Sequence, residues 1–187
     1  MDLSDDDLEV FREATGHPLM MLRALSIWHE WDDELPADVR PGVMSMYVVR
    51  NALHEDVMRL TDDLPSPDHH AFILSGRMRG VSDGTRCRLG MARARDCYAA
   101  LEAVGTCAEA NGLDPAAIAS ALRAWRPAED VQLLGCGSDW FEFWPRTTNG
   151  VDATRELFDV FPMLSDVLDH DEIIHQSDSC GTVFLNW

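Results

Sequence analysis

The stretch VQLLGCGSDWFEFWP, residues 131–145, decides the fold class, because it has the pattern of two short strands around a Gly-Cys-Gly turn. It follows Pro127, where the helical periodicity of the preceding chain ends. An amphipathic pattern then predicts a helix at about 152–168, and two further strands are predicted at about 171–176 and 182–187. The order β-β-α-β-β predicts a small antiparallel sheet in the last third of the chain.

The chain before Pro127 has mainly helical periodicity and predicts about five helices. Ser4 is placed to cap the first helix, and three aspartates fill its first turn, where the helix dipole favours anions. The later helical stretches are about 18–32, 42–61, 88–110 and the segment that Asp114 caps. Two stretches fit a strand as well, namely VMSMYVV (43–49) and residues 67–79. These patterns predict an α+β fold, with a mainly helical region at 1–126 and a ββαββ region at 127–187. One continuous folded unit is the alternative, since no flexible linker separates them.

The charge of the chain is strongly negative and unevenly distributed. The net charge is −18, made up of −10 in residues 1–63, zero in 64–130 and −8 in 131–187. Such a surface repels nucleic acids and anionic membranes and attracts basic partners, although general solubility would also explain it. All 15 basic residues are arginine. The absence of lysine excludes Schiff-base chemistry and a P-loop lysine.

The N-terminus and the cysteines indicate the compartment. MDLSDDDLEV is acidic where a secretory signal is basic and then apolar, and no apolar run reaches the length of a membrane span. The five cysteines are an odd number without a CxxC pair, which argues against a disulfide framework and a zinc knuckle. We therefore expect a cytoplasmic protein.

An arginine-rich stretch, SGRMRGVSDGTRCRLGMARAR (75–95), holds six of the fifteen arginines with four interleaved glycines. Glycines let backbone amides turn toward an anion, and arginines grip its oxygens with two hydrogen bonds. The candidate anion-binding residues are Arg77, Arg79, Arg86 and Arg88. The alternative is that these arginines pair with acidic parts of the same chain.

An aromatic stretch, DWFEFWP (139–145), alternates along a predicted strand. If Phe141 and Phe143 face the core, the two tryptophans face outward around a carboxylate and suit a cationic partner. The candidate partner-binding residues are Asp139, Trp140, Glu142 and Trp144. The alternative is a strand buried on both sides.

Two further groups are candidates for a catalytic or metal site. Glu30 and Glu34 are four residues apart and would lie on one face of a helix. Glu55 on the next predicted helix could complete a Mg²⁺ site with them. Asp171 and His175, four apart, share a face on a helix or a strand and could form a catalytic or metal pair. Solvated acids and a surface contact are the respective alternatives.

We therefore expect an acidic, lysine-free binding protein rather than an enzyme. It would occlude a basic macromolecular partner, as an inhibitor, an immunity protein or a phage-type antagonist does, without a cofactor, nucleic acid or membrane. The alternative is a hydrolase, dependent on Mg²⁺ or assisted by arginine, that acts on a phosphorylated small molecule or a nucleotide.

Overall fold

A computed structural model describes residues 4–15, 20–23, 45–53, 64, 68–75, 86–106, 112–137, 139–162 and 169–186. The strands are β1 (Met20–Arg23), β2 (Ser45–Leu53), β3 (His69–Ser75), β4 (Arg86–Arg93), β5 (Val131–Cys136), β6 (Trp140–Pro145) and β7 (Val183–Asn186). The helices are α1 (Asp5–Thr15), α2 (Cys97–Val104), α3 (Pro115–Trp125), α4 (Gly150–Val160) and α5 (His170–Cys180), with a 3₁₀ turn at Ala128–Asp130. Within these ranges no helix has the length and apolar character needed to cross a membrane.

The seven strands form one mixed sheet in the order β1-β2-β4-β3-β5-β6-β7. Neighbouring strands are antiparallel except for β3 and β5, which run parallel with Ile73 opposite Gly135. The α+β class is therefore confirmed. The sheet takes strands from both of the predicted regions, 1–126 and 127–187.

The two faces of the sheet carry different helices. Leu133, Phe143 and Val183 are register partners across three strands, so they share one face. They belong to a buried core cluster that also contains Tyr98 of α2 and Leu157 of α4. Helices α2 to α5 therefore cover this face. Helix α1 lies on the opposite face, where its side chains contact His69 of β3.

The helices begin at side-chain caps that the sequence supplies. Asp114 accepts from the backbone N–H of Ala117, and Pro115 stands in the first turn of α3, so this predicted helix start is confirmed. Helices α4 and α5 pack closely, because the hydroxyls of Thr154 and Ser177 form a buried hydrogen bond of 2.8 Å between them. The outer sides of these two helices are thereby held in a fixed relation.

Three of the predicted N-terminal helices are wrong where the structure describes them. The range 18–32 contains β1, 42–61 contains β2, and 88–110 begins within β4 and becomes helical only at Cys97. In β4, Leu89 and Met91 are buried on one face and Ala92 on the other. A strand that is buried on both faces does not alternate apolar with polar residues, so its pattern imitates a buried helix. The strand alternatives at 43–49 and 67–79 are confirmed for the described residues 45–49 and 69–75.

The predicted strand at 171–176 is also wrong, because these residues lie in α5. The Asp169 carboxylate accepts from the N–H groups of Asp171 and Glu172, and Gly181 ends the helix with a φ of 70°. These caps favour a helix over the strand that the short apolar pattern indicated. The predicted strands in 131–145 and 182–187 are present as β5, β6 and β7, and the helix predicted at 152–168 is present as α4 up to Val160, while residues 163–168 lie outside the described part. Among the described residues, the C-terminal order is thus β-β-α-α-β.

Candidate functional site

The outer side of α4 and α5 is rich in exposed carboxylates, which we call the acidic surface. Its members are Asp152, Glu156, Asp159, Asp169, Asp171, Glu172 and Asp178. Arg155 pairs with Asp152 at 3.6 Å, and Arg126 pairs with Glu156. Among the residues that the structure describes, the other five carboxylates form no ion pair. The acidic surface therefore keeps most of its negative charge.

Two acids of this surface occupy positions that helix stability disfavours. Asp159 lies in the last turn of α4 and Asp178 in the last turn of α5, and neither turn contains a basic residue. The C-terminal end of a helix dipole is negative, so a carboxylate there is destabilising. Helix stability consequently does not explain why aspartates stand at these two positions.

Two large apolar side chains are exposed on the described surface. Val160 ends α4 beside the acidic surface and is 45% exposed, and Trp144 of β6 is 43% exposed. An exposed tryptophan is a typical anchor of a protein interface.

The aromatic strand β6 has the orientation that its alternation predicts. Phe141 and Phe143 face the core, and Trp140, Glu142 and Trp144 share the other face. Glu142, however, is completely buried and accepts a hydrogen bond of 2.7 Å from the Thr182 hydroxyl. It is therefore not part of an exposed surface.

Trp140 is only partly exposed, because its indole packs on its own sheet. Its ring lies 6.1 Å from that of Phe184. A Cβ on Gly135 would stand 2.7 Å from Cη2 of the indole, so only glycine leaves room for it there. Of the four predicted partner-binding residues, Asp139 and Trp144 are exposed to solvent.

A second polar cluster, which we call the α1 cluster, lies where α1 meets the sheet. It begins with a capping box at the start of α1. The N–H of Asp7 donates to the Ser4 hydroxyl oxygen at 3.2 Å, and the N–H of Ser4 donates to Asp7 Oδ2 at 2.7 Å. The Ser4 hydroxyl also donates to Oδ2 at 2.8 Å. The capping box thereby fixes the Asp7 carboxylate.

The other oxygen of Asp7, Oδ1, lies 2.7 Å from Nε2 of His69 on β3. Both side chains are buried, at 5% and 9% exposure, and the ring of Phe11 meets His69 edge-on at 5.2 Å. Arg93 of β4 approaches more loosely, with Nη1 at 3.7 Å from Oδ2. The α1 cluster thus joins one helix to two strands.

The pKa of Asp7 is lowered from 3.8 to about 2. Burial by itself raises the pKa, but the hydrogen bonds from the Ser4 backbone, from His69 and from the Ser4 hydroxyl outweigh it, with help from the charge of Arg93. Asp7 is therefore ionised near neutral pH. An ionised carboxylate can only accept hydrogen bonds, so Nε2 of His69 carries the hydrogen and donates it to Asp7. Nδ1 of His69 takes no part in this hydrogen bond.

The described structure shows no contact among the remaining predicted site residues. Asp171 and His175 are exposed on α5. The described ranges contain no group of three or more histidine, cysteine or acidic side chains that could hold a metal ion. Arg86 and Arg88 lie on β4, but their side chains are outside the described part. The candidates that fall wholly outside the described residues are Arg77, Arg79, Glu30, Glu34 and Glu55.

The two buried cysteines, Cys97 and Cys136, do not offer an activated nucleophile. Burial raises the pKa of Cys97 to about 12, and burial likewise raises the pKa of Cys136. Neither thiol is therefore ionised near neutral pH. Cys180 is exposed at the end of α5.

Sequence reasoning missed the α1 cluster, because its members are far apart along the chain. Asp7 and His69 are 62 residues apart. Asp7 resembled an ordinary acid of a first helical turn, and Arg93 was one of six arginines in a basic stretch. The pairing arises only from the strand order and the placement of α1.

Comparison with known proteins adds no further assignment: no family, curated protein or solved structure matches this chain.

Proposed function

We propose that this chain is an acidic binding protein that occludes a basic macromolecular partner. The observation that carries the proposal is the acidic surface of α4 and α5, in which five carboxylates form no ion pair within the described structure. Such a surface attracts a cationic partner from a distance and raises the rate of association.

The placement of the charges supports binding over general solubility. Solubility requires only that charges be exposed, and the charges can lie at positions that do not destabilise a helix. Asp159 and Asp178 instead occupy the helix ends where a negative charge is destabilising. A partner's cations at these two sites would remove that cost on binding.

The acidic surface is also rigid enough to act as a preformed interface. The buried bond between Thr154 and Ser177 joins the two helices, and Leu157 and Ile173 anchor them in the core. A surface that is ordered before binding loses less conformational entropy on association. Val160, which lies beside the acidic surface, supplies exposed apolar area that charge alone lacks. Trp144 is on the opposite face of the sheet and lies outside this surface.

The proposal is tested by affinity capture from an extract of the native host at low salt. We expect the unmodified chain to recover a partner with a basic surface, and Asp159→Asn with Asp178→Asn to recover much less. The matched control is Asp5→Asn with Asp6→Asn, which removes the same charge from exposed sites on α1, across the sheet. Recovery that is equal for both double variants, or a partner without a basic surface, would contradict the proposal.

A further inference from the structure

Arg93 stands beside His69 at the position where two antiparallel strands bring side chains closest. The two residues are register partners on β3 and β4. The N–H of Ala94 donates to the carbonyl of Asp68 at 2.8 Å, which makes the pair between them a non-hydrogen-bonded one. The Cα atoms of such a pair are about 4.5 Å apart.

The guanidinium of Arg93 has hydrogen-bonding capacity that the described residues around it do not use. It carries five N–H donors. Its contact with Asp7, at 3.7 Å, is longer than a hydrogen bond, and its Nε is buried without a partner. Asp7 already accepts two hydrogen bonds from Ser4 and one from His69. The Arg93 side chain is nevertheless 37% exposed, so an acceptor from solvent can reach it.

The His69 imidazole forms one side of the space next to Arg93. It is 9% exposed and donates from Nε2 to Asp7. Among the described residues, Asp68 precedes β3, and His70 points to the opposite face and bonds the Ala94 carbonyl.

We propose that Arg93 binds an oxyanion, a phosphate or carboxylate group, at the α1 cluster. The planar guanidinium matches two oxygens of such a group, and Asp7 holds the imidazole in place beside it. The site lies on the sheet face opposite the acidic surface and does not depend on the function proposed above.

The test uses sulfate and acetate as probes, with chloride at equal ionic strength as the reference. The primary readout is the side-chain Nε–H signal of Arg93 in an NMR titration of the unmodified chain. A stronger response to sulfate assigns the site to phosphate groups, and a stronger response to acetate assigns it to carboxylates.

We expect a saturable shift of the Arg93 signal in sulfate or acetate that chloride does not produce. Arg93→Lys should weaken binding about tenfold, because lysine lacks the planar pair of N–H donors that contacts two oxygens. Exposed Arg155→Lys is the matched control and should change nothing. The absence of a saturable shift in the unmodified chain, or an unchanged affinity in Arg93→Lys, would overturn the proposal.

Discussion

Replacing Asp7 by asparagine should remove a defined amount of stability with a defined pH dependence. The folded pKa of Asp7 is about 2 and its ordinary value is 3.8. At about 1.4 kcal/mol for each pH unit, this gap corresponds to about 2 kcal/mol at neutral pH. Because the pKa is depressed, the contribution is complete above the unfolded value and is lost as the pH falls through the folded one. Asp7→Asn should therefore lower the free energy of unfolding by about 2 kcal/mol at pH 7 and by much less near pH 2.

Urea unfolding from about pH 7 to about pH 2, followed by circular dichroism, measures this difference directly. Asp6→Asn is the matched control. It removes a carboxylate from the same helical turn, but Asp6 is exposed and should contribute only a few tenths of a kcal/mol through the helix dipole.

The result that refutes this reasoning is a difference between the unmodified chain and Asp7→Asn that stays constant between about pH 5 and about pH 2. The stability would then come from the shape of the side chain rather than from its ionised carboxylate. Equal effects of Asp6→Asn and Asp7→Asn would refute the role of His69 and Ser4 as well.

Three further outcomes are expected. Thr182→Val should lower the free energy of unfolding by about 1 to 3 kcal/mol in urea titrations, because the buried Glu142 loses a donor; an unchanged midpoint would contradict this contact. Gly135→Ala should shift the tryptophan fluorescence and destabilise the chain by about 1 to 3 kcal/mol, since the new Cβ collides with the Trp140 indole. A binding protein without a metal should show no Mg²⁺-specific rise in melting temperature at millimolar concentration. A rise that Glu34→Gln removes would favour the hydrolase alternative instead.

The elements that the sequence predicted correctly are those with local signals. Helix α3 has both a capping aspartate and a first-turn proline, and β5 and β6 flank a glycine turn. Strand β4 was missed, because burial on both faces removes the alternation that identifies a strand. Helix α5 was missed because its only described fully buried side chains are Ile173 and Ser177, which leaves a weak apolar stripe.

The candidate sites could likewise be predicted only where the signal lies in neighbouring residues. Alternation along β6 placed Phe141 and Phe143 on one face and the two tryptophans on the other, since that depends on the two-residue period of a strand, but it left open whether both faces are buried. The burial of Glu142 depends on Thr182, 40 residues later, and no local pattern contains that information. The α1 cluster likewise requires the strand order that places His69 beside Arg93. Features set by neighbouring residues could therefore be predicted from the sequence, whereas contacts between residues far apart along the chain required the structure.

The measurement that tests the central claim most directly is the association rate constant between this chain and the captured partner as a function of salt. The claim predicts an association rate constant that falls steeply with rising ionic strength. At low salt, the double variant Asp159→Asn with Asp178→Asn should associate more slowly than the unmodified chain. The control double variant Asp5→Asn with Asp6→Asn should change the rate constant little. Val160→Ala, at the exposed apolar position beside the acidic surface, should act mainly on the dissociation rate. An association rate that is independent of salt, or reduced equally by both double variants, would contradict the claim that the acidic surface of α4 and α5 binds the partner.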